Sequence, residues 1–212
     1  MHKIIFLNLS TIFMSATIVT TCGCNLPMKL PMENKCDGKN LNVEKFRNGD
    51  PIPEAKSEGE WRTYLQAGEA AWCYWDNLWI NGVKYGKLYN WYAVNDPRGL
   101  APNGWHIPSD DEWTILTDYL GGEVIAGFKM KSKSGWYDGC IISTNSSGFS
   151  GLPGGFRYYD QFHYIGKYGY WWSSTGYSTN RVWYRFLNCV DGTIGRYDDG
   201  EEIGMSVRCL KD

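Results

Sequence analysis

Few residues of this chain have the types and spacing that catalysis requires. Two of its three histidines, His106 and His163, lie beyond the N-terminal segment. His106 stands between Trp105 and Ile107 just before a predicted helix start, where a structural histidine is more common than a catalytic base. His163 has no carboxylate or thiol at catalytic spacing, and no G-x-S-x-G segment marks a nucleophile. These residues therefore favour binding over catalysis.

One acidic cluster has enough oxygen atoms to hold a hard cation. It consists of Asp198, Asp199, Glu201 and Glu202, which surround Gly200. Acids grouped in a loop are more often a solvated turn than a metal site. We therefore expect no metal ion and no organic cofactor.

The cysteines indicate structure rather than chemistry. Two of the seven, Cys22 and Cys24, lie in the N-terminal segment. The other five lack the paired spacing of zinc sites or of redox C-x-x-C motifs, and they are Cys36, Cys73, Cys140, Cys189 and Cys209. Five cysteines form at most two disulfides, and the sequence leaves the pairing open.

Tyrosine is the residue type best suited to ligand contact in this chain. Tyrosines recur in the glycine-rich segments of the C-terminal half, which we predict to be connecting loops. A loop tyrosine provides a large contact area at low entropic cost, although many of these rings could instead close the core. The candidate ligand-binding residues are Tyr158, Tyr159, Tyr164, Tyr168, Tyr177, Asn180, Arg196 and Tyr197.

Three helices are predicted to position these segments. Ser57 and Ser109 each precede a glutamate three residues later, which is the spacing of a capping box. Apolar residues follow at helical intervals in both cases, and Gly121-Gly122 ends the second helix. A third short helix is predicted from Leu88 to Asn95, before Pro97.

Short strands are predicted around and after these helices. The first two cover 41–46 and 72–79, and the later ones cover 170–173, 182–188, 193–197 and 205–210, with loops at 174–181 and 198–204. Early helices followed by a run of antiparallel strands indicate an α+β domain.

The N-terminal segment predicts export. Residues 1–23 have a basic start, an apolar run and small residues at the end, as a signal peptide does. Gly23-Cys24 resembles a bacterial lipobox, so we expect Cys24 to be lipidated, with an ordinary secretory signal as the alternative. Residues 24–40 then form a tether and residues 41–212 the domain. The protein is thus expected at the outer membrane or the cell surface.

Composition excludes two further classes. Aromatic residues make up 16 % of the chain and charged residues 21 %, which excludes a disordered protein. The net charge of −2 gives no basic surface for nucleic acid, so we expect no such partner.

Several long motifs resemble one family in the same order along the chain. They are NGDPIP (48–53), YNWYAV (89–94), LAPNGWHIPSDDEW (100–113), LPGGFR (152–157), YWWSST (170–175) and SVRCLKD (206–212). Together they resemble the Fibrobacter succinogenes major paralogous domain, a family of exported bacterial proteins. More distantly, their order looks like the C-type-lectin-like fold. The resemblance implies two short helices packed on a small twisted antiparallel sheet with long glycine-rich loops.

The resemblance and the residues together predict a non-enzymatic lectin-like domain that binds a glycan or a protein at the cell surface. One alternative is an enzyme similar to the formylglycine-generating group, which would need Cys189 or Cys209 as an exposed thiol of low pKa near a second cysteine. Another is a receptor diversified by a retroelement, because Gly204 to Arg208 resembles the end of such diversified segments. In that case the variable positions would lie in the preceding segments, GYSTNR (176–181) and DGTIGRYDDGEE (191–202).

Overall fold

The computed structural model describes residues 38–141 and 143–212. The predicted signal peptide, Cys24, Cys36 and the tether up to residue 37 lie outside the described residues. The α-helices are α1 (Glu58–Ala67), α2 (Trp79–Tyr85), α3 (Trp91–Val94), α4 (Asp110–Tyr119) and α5 (Glu123–Met130). The strands are β1 (Trp72–Cys73), β2 (Leu88–Tyr89), β3 (Trp105–His106), β4 (Phe156–Tyr158), β5 (Gln161–His163), β6 (Tyr168–Ser178), β7 (Arg181–Asn188), β8 (Ile194–Gly200) and β9 (Leu210–Lys211).

Both capping boxes form as predicted. The side chain of Ser57 accepts a hydrogen bond from the backbone N–H of Glu60 at the start of α1. Ser109 does the same for Glu112 at the start of α4. Each glutamate side chain in turn accepts a hydrogen bond from the backbone N–H of its serine, so both halves of each capping box are present.

Other predicted boundaries were wrong for local reasons. The strand predicted over 72–79 ends at Cys73, because Asp76 and Asn77 take positive φ angles of 57° and 52° in a 3-10 turn. Helix α2 follows that turn and was not predicted. Its exposed side carries apolar residues, so the sequence lacks the division into an apolar and a polar side that marks a surface helix. Helix α4 ends at Tyr119 with Leu120 as its C-cap, and Gly122 is the N-cap of α5, a helix that was not predicted.

Two more predicted segments differ from the structure. The residues predicted as a strand over 41–46 form a single bridge, between Lys45 and Pro51. The helix predicted from Leu88 to Asn95 is one turn long, because Leu88 pairs with Cys73 in the sheet and Asn90 caps α3.

Three antiparallel strands, in the order β6-β7-β8, form the largest sheet of the described residues. Tyr170 pairs with Phe186, and Tyr184 pairs with Tyr197. Most of the loop predicted at 174–181 is strand, which is a correction, whereas only the first part of the loop predicted at 198–204 is, because β8 ends at Gly200. Glycines at 176 and 200 suggested loops, but β6 continues through an irregularity at Gly176 and reaches β7 by a two-residue turn.

The C-terminal segment makes few regular strand pairs. The strand predicted over 205–210 is replaced by single bridges, in which Met205 pairs with Tyr89 and Ser206 with Trp171. Only its end, β9, pairs regularly, with β3. The mixture of helices with small antiparallel sheets confirms the α+β class. The described residues contain more helices than the two that the family resemblance implies.

The two faces of the β6-β7-β8 sheet have different surroundings. The inner face packs against α4 and α5, where Trp113, Leu116 and Met130 join Trp171 and Leu187 in one buried cluster. A second and larger cluster lies around Tyr89, Trp91, Trp172, Met205 and Val207, and it covers one end of the outer face.

A charge network with a buried centre crosses the inner face, since Asp110 and Arg185 are buried and Arg196 is more exposed. Asp110, at the first turn of α4, accepts hydrogen bonds from Arg185 at 2.5 Å and from Arg196 at 2.7 Å. The Arg196 guanidinium also lies 3.6 Å from the centre of the Trp183 ring. The network therefore joins the start of α4 to two neighbouring strands.

The start of the described chain is held by one buried side chain. Asn40 donates hydrogen bonds to the Tyr85 carbonyl at 2.7 Å and to Ser206 Oγ at 3.1 Å. Its carbonyl oxygen accepts from Trp171 Nε1 and Arg208 Nε, each at 2.8 Å. The chain thus enters the domain beside the C-terminal end of α2.

Candidate ligand-binding face

The outer face of the sheet carries aromatic side chains at alternate positions. Side chains on a strand alternate between faces, so every second residue of β6, β7 and β8 lies on the same side. At the open end of this outer face, rings from the three strands lie together with the ring of Tyr164, which follows β5. We call this group the aromatic face, and it consists of Tyr164, Tyr168, Tyr184, Phe186 and Tyr197.

These rings form one continuous surface. The centre of the Tyr168 ring lies 5.1 Å from that of Tyr164 and 6.1 Å from that of Phe186. Phe186 in turn lies 5.7 Å from Tyr197. The buried Tyr170 ring supports the surface from within, because it contacts Tyr168, Tyr184 and Phe186. Such contacts fix the rings before any ligand binds.

The rim of the aromatic face is open to solvent and carries available hydroxyl groups. Tyr164 is 51 % exposed and Tyr197 is 61 % exposed. Within the described residues, no hydrogen bond involves the side-chain hydroxyls of Tyr164, Tyr168, Tyr184 or Tyr197. Burial, and then the charge of Asp199, raises the pKa of Tyr184 to about 12. Its hydroxyl therefore stays protonated at neutral pH and can donate a hydrogen bond.

Tyr158 and Tyr159 lie elsewhere, at the tip of the β4-β5 hairpin. Their ring centres are 4.6 Å apart. Tyr159 lines an open groove of about 620 Å³ that also includes Tyr92 and Arg62. The charge of Glu202 raises the pKa of Tyr159, so this hydroxyl is also neutral.

Tyr177, Arg196 and Asn180 form no part of the aromatic face. Tyr177 packs edge-on against Trp183 at 4.6 Å, and Arg196 stacks on the same indole. Asn180 lies in the exposed turn between β6 and β7. The structure thus divides the candidate residues among four places, of which the aromatic face is the largest ring cluster.

The histidines have structural surroundings. His163 stacks on Phe156 with 5.0 Å between ring centres. Both ring nitrogens of His106 face carboxylates, Nδ1 at 2.7 Å from Asp212 and Nε2 at 2.9 Å from Glu112. Burial lowers the pKa of His106, but the hydrogen bonds that the protonated ring donates to these carboxylates outweigh burial and raise the pKa. Neither nitrogen faces a nucleophile.

The described cysteines are bonded or buried. Cys140 and Cys189 form a disulfide. Burial raises the pKa of Cys73 to about 11 despite the nearby Arg157 guanidinium, and Cys209 is buried. None of them is an exposed thiol of low pKa.

The acidic segment at 198–202 does not converge on one point. Asp198 binds Arg181 at 2.6 Å, whereas Asp199 lies on the opposite side of β8. Across residues 38–141 and 143–212, no three histidine, cysteine, aspartate or glutamate side chains are grouped as a metal ion would require.

The family assignment accounts for most of the chain. A family model for the Fibrobacter succinogenes major domain matches residues 38–211. The chain belongs to this family. Comparison with curated proteins and with solved structures gave no match.

In this Fibrobacter succinogenes major domain, the motif residues build the scaffold. Arg157 of LPGGFR is buried and donates to the carbonyls of Tyr159 at 2.9 Å and Ser57 at 3.0 Å. Trp172 of YWWSST donates to the Tyr89 carbonyl of YNWYAV at 2.8 Å. The motifs thus bond to one another in the core.

Sequence reasoning did not identify Tyr184 and Phe186 as part of the site. Both lie in a segment correctly predicted as strand, and they alternate with buried or half-buried residues. The alternation of Tyr168, Tyr170 and Trp172 was the available signal, because period-two aromatics indicate one face of a strand.

Proposed function

We propose that this protein is exported, lipid-anchored through Cys24 and located at the outer membrane or cell surface, where its domain binds a glycan or protein ligand without chemical turnover. The aromatic face is the proposed binding surface. The single observation that carries the proposal is the continuous, solvent-open group of Tyr164, Tyr168, Tyr184, Phe186 and Tyr197.

The surface has the properties that sugar recognition requires. Preformed aromatic rings offer flat apolar area at low entropic cost, and their negative faces attract the C–H groups of a sugar ring. The unbonded tyrosine hydroxyls can exchange hydrogen bonds with sugar hydroxyls. These features favour a glycan over a protein as the ligand.

Two observations support export and binding rather than catalysis. The Cys140–Cys189 disulfide is the type of bond that persists in an oxidising compartment outside the cytosol. The enzyme alternative requires an exposed thiol at Cys189 or Cys209, whereas Cys189 is bonded to Cys140 and Cys209 is buried. The histidines face carboxylates or an aromatic ring instead of a nucleophile.

A lectin-like fold is part of the same proposal. It is supported by the order of the capped helix α4, the glycine-rich segment after it and the C-terminal SVR residues. An experimental structure that aligns α4, the β6-β7-β8 sheet and the C-terminal segment with a lectin-like domain is the test of this part.

Binding can be tested on a glycan array together with a panel of bacterial surface proteins. We expect Tyr197→Ala and Phe186→Ala to weaken a wild-type hit by about tenfold or more, because aromatic residues dominate binding surfaces. The matched control is Tyr119→Ala, which removes a 49 % exposed tyrosine from α4. Equal weakening by the control, or no hit in either panel, would reject the aromatic face as the binding surface. A hit among the surface proteins and none among the glycans would show that the ligand is a protein instead of a glycan.

A further inference from the structure

Helix α2 exposes an apolar side that nothing in the described structure covers. Trp79 is 68 % exposed and Val83 is 70 % exposed, and Leu78 and Ile80 beside them are about half exposed. Trp79, Ile80 and Val83 share one side of the helix, because residues one and four apart lie within about 100° of each other. Among the tryptophans, all of which lie in the described residues, Trp79 is the only exposed one.

This apolar side is not needed to hold α2 in the fold. The opposite side already packs on the domain, since Tyr85 is buried and Gly82 lies against the Tyr74 ring. A side chain at position 82 would collide with that ring, so the packing of the buried side of α2 on the domain already fixes the position of the helix. A solvated helix surface would carry polar residues in place of Trp79, Ile80 and Val83.

The position of α2 relative to the tether indicates what it faces. Asn40 donates a hydrogen bond to the carbonyl of Tyr85, the last residue of α2. The described part of the chain therefore begins beside this helix. The residues between Cys24 and position 38 are few enough to span at most about 45 Å. If Cys24 carries a lipid, the end of the domain that is tied to the membrane is therefore the end that carries α2.

The chemistry of the exposed side fits the boundary of a lipid bilayer. Tryptophan is enriched at the level of the headgroups, where its ring meets both apolar and polar surroundings. Aliphatic residues beside it enter the start of the acyl region. Lys84 lies in the last turn of the same helix and can contact anionic headgroups.

We propose that α2 lies in the interface of the membrane that carries the lipid anchor, with Trp79, Ile80 and Val83 inserted at the boundary between headgroups and acyl chains. This inference rests on the proposed lipidation of Cys24. The contact would hold the domain in one orientation on the membrane instead of leaving it free at the end of the tether.

The test uses the mature, full-length protein in vesicles of phosphatidylethanolamine and phosphatidylglycerol that contain lipids brominated near the acyl carbonyl. Bromine quenches tryptophans that lie at this depth. We expect quenching in the wild type and its loss in Trp79→Phe. Val83→Asp should reduce the quenched fraction several-fold. Val124→Asp is the matched control, because Val124 is 71 % exposed on another helix, and it should leave quenching unchanged.

Labelling the same preparation with a palmitate analogue separates this inference from the proposed anchor. Labelled protein whose Trp79 is not quenched would overturn the interfacial helix and keep the anchor. Quenching of Trp79 in protein without label would keep the helix and overturn the anchor. A lipid-free dimer that Val83→Asp dissociates, with no quenching in vesicles, would assign this surface to a second copy of the chain.

Discussion

The two faces of the β6-β7-β8 sheet use aromatic and charged residues for different purposes. On the inner face, Trp171 and Arg185 are buried, and the charge of Arg185 is matched by Asp110. On the outer face, burial decreases from Trp172, which is fully enclosed, to Tyr197, which is mostly exposed. The inner face therefore stabilises the domain, whereas the open end of the outer face is available for contact with other molecules.

The largest effect is expected at the inner charge network. Asp110→Ala should lower the free energy of unfolding by about 3–5 kcal/mol, because it leaves two guanidinium groups, one of them buried, without their partner. Denaturant unfolding monitored by fluorescence measures this change. Asp111→Ala, at the next and exposed position of α4, should cost much less. Similar losses for both variants would show that the network adds nothing beyond the helix dipole.

A comparable loss is expected for the helix that covers the inner face. Trp113 is fully buried against Phe149 in the same cluster as Trp171. Trp113→Ala should cost about 3–5 kcal/mol by leaving a cavity. The control is Trp79→Ala, which truncates an exposed indole. Thermal melts should separate the two variants clearly, and an unchanged melting temperature for Trp113→Ala would contradict the packing.

A smaller, pH-dependent effect is expected at His106, which joins α4 to the C-terminus. The pKa of His106 is raised, so its protonated ring stabilises the fold at low pH. This stabilisation is lost as the pH rises above 6.5 and through the pKa of His106 in the folded protein. Burial raises the pKa of Glu112, but hydrogen bonds from Ser109 and His106 lower it overall. The stabilisation by Glu112 is therefore present above pH 4.5 and is lost as the pH falls through the pKa of Glu112 in the folded protein.

Together these two shifts place the stabilisation by this pair mainly between about pH 4.5 and 6.5. Unfolding curves measured from about pH 3 to about pH 9 provide the test, because they cover the losses on both sides of this range. In His106→Gln, the free energy of unfolding should no longer show the decrease with rising pH that the deprotonation of His106 causes. An identical pH dependence in the variant would show that the ion pairs are too exposed to contribute.

The smallest effect on stability is expected on the outer face. Tyr197→Ala should change the free energy of unfolding by no more than about 0.5 kcal/mol, because the ring is mostly exposed. Ligand binding by the same variant should nevertheless fall, as proposed above. A large loss of stability would show that Tyr197 belongs to the core, and the contrast between the two faces would disappear.

Local signals in the sequence predicted the parts of the fold that depend on neighbouring residues. The capping boxes at Ser57 and Ser109 involve residues three apart, so they are visible in the sequence and both are confirmed. The apolar residues at helical intervals after Ser109 likewise predicted a helix, and Trp113 and Leu116 on that helix are buried.

Features that depend on distant residues were not predicted. The extension of β6 past Gly176 is supported by pairing with β7, and the Cys140–Cys189 disulfide joins segments 49 residues apart. For the same reason, Tyr168 was assigned to a connecting loop, although it lies on β6. Only the register of the sheet brings it and Tyr197 beside Phe186.

The position of Asn40 also has a mechanical consequence. A pull from the residues before 38 reaches the folded domain at this side chain, which bonds to Tyr85, Trp171, Ser206 and Arg208. The force is then shared at once among the end of helix α2, strand β6 and the C-terminal segment. Bonds that bear a load in parallel resist it together, whereas bonds loaded in series break one after another. The domain is thus well suited to being held by one end.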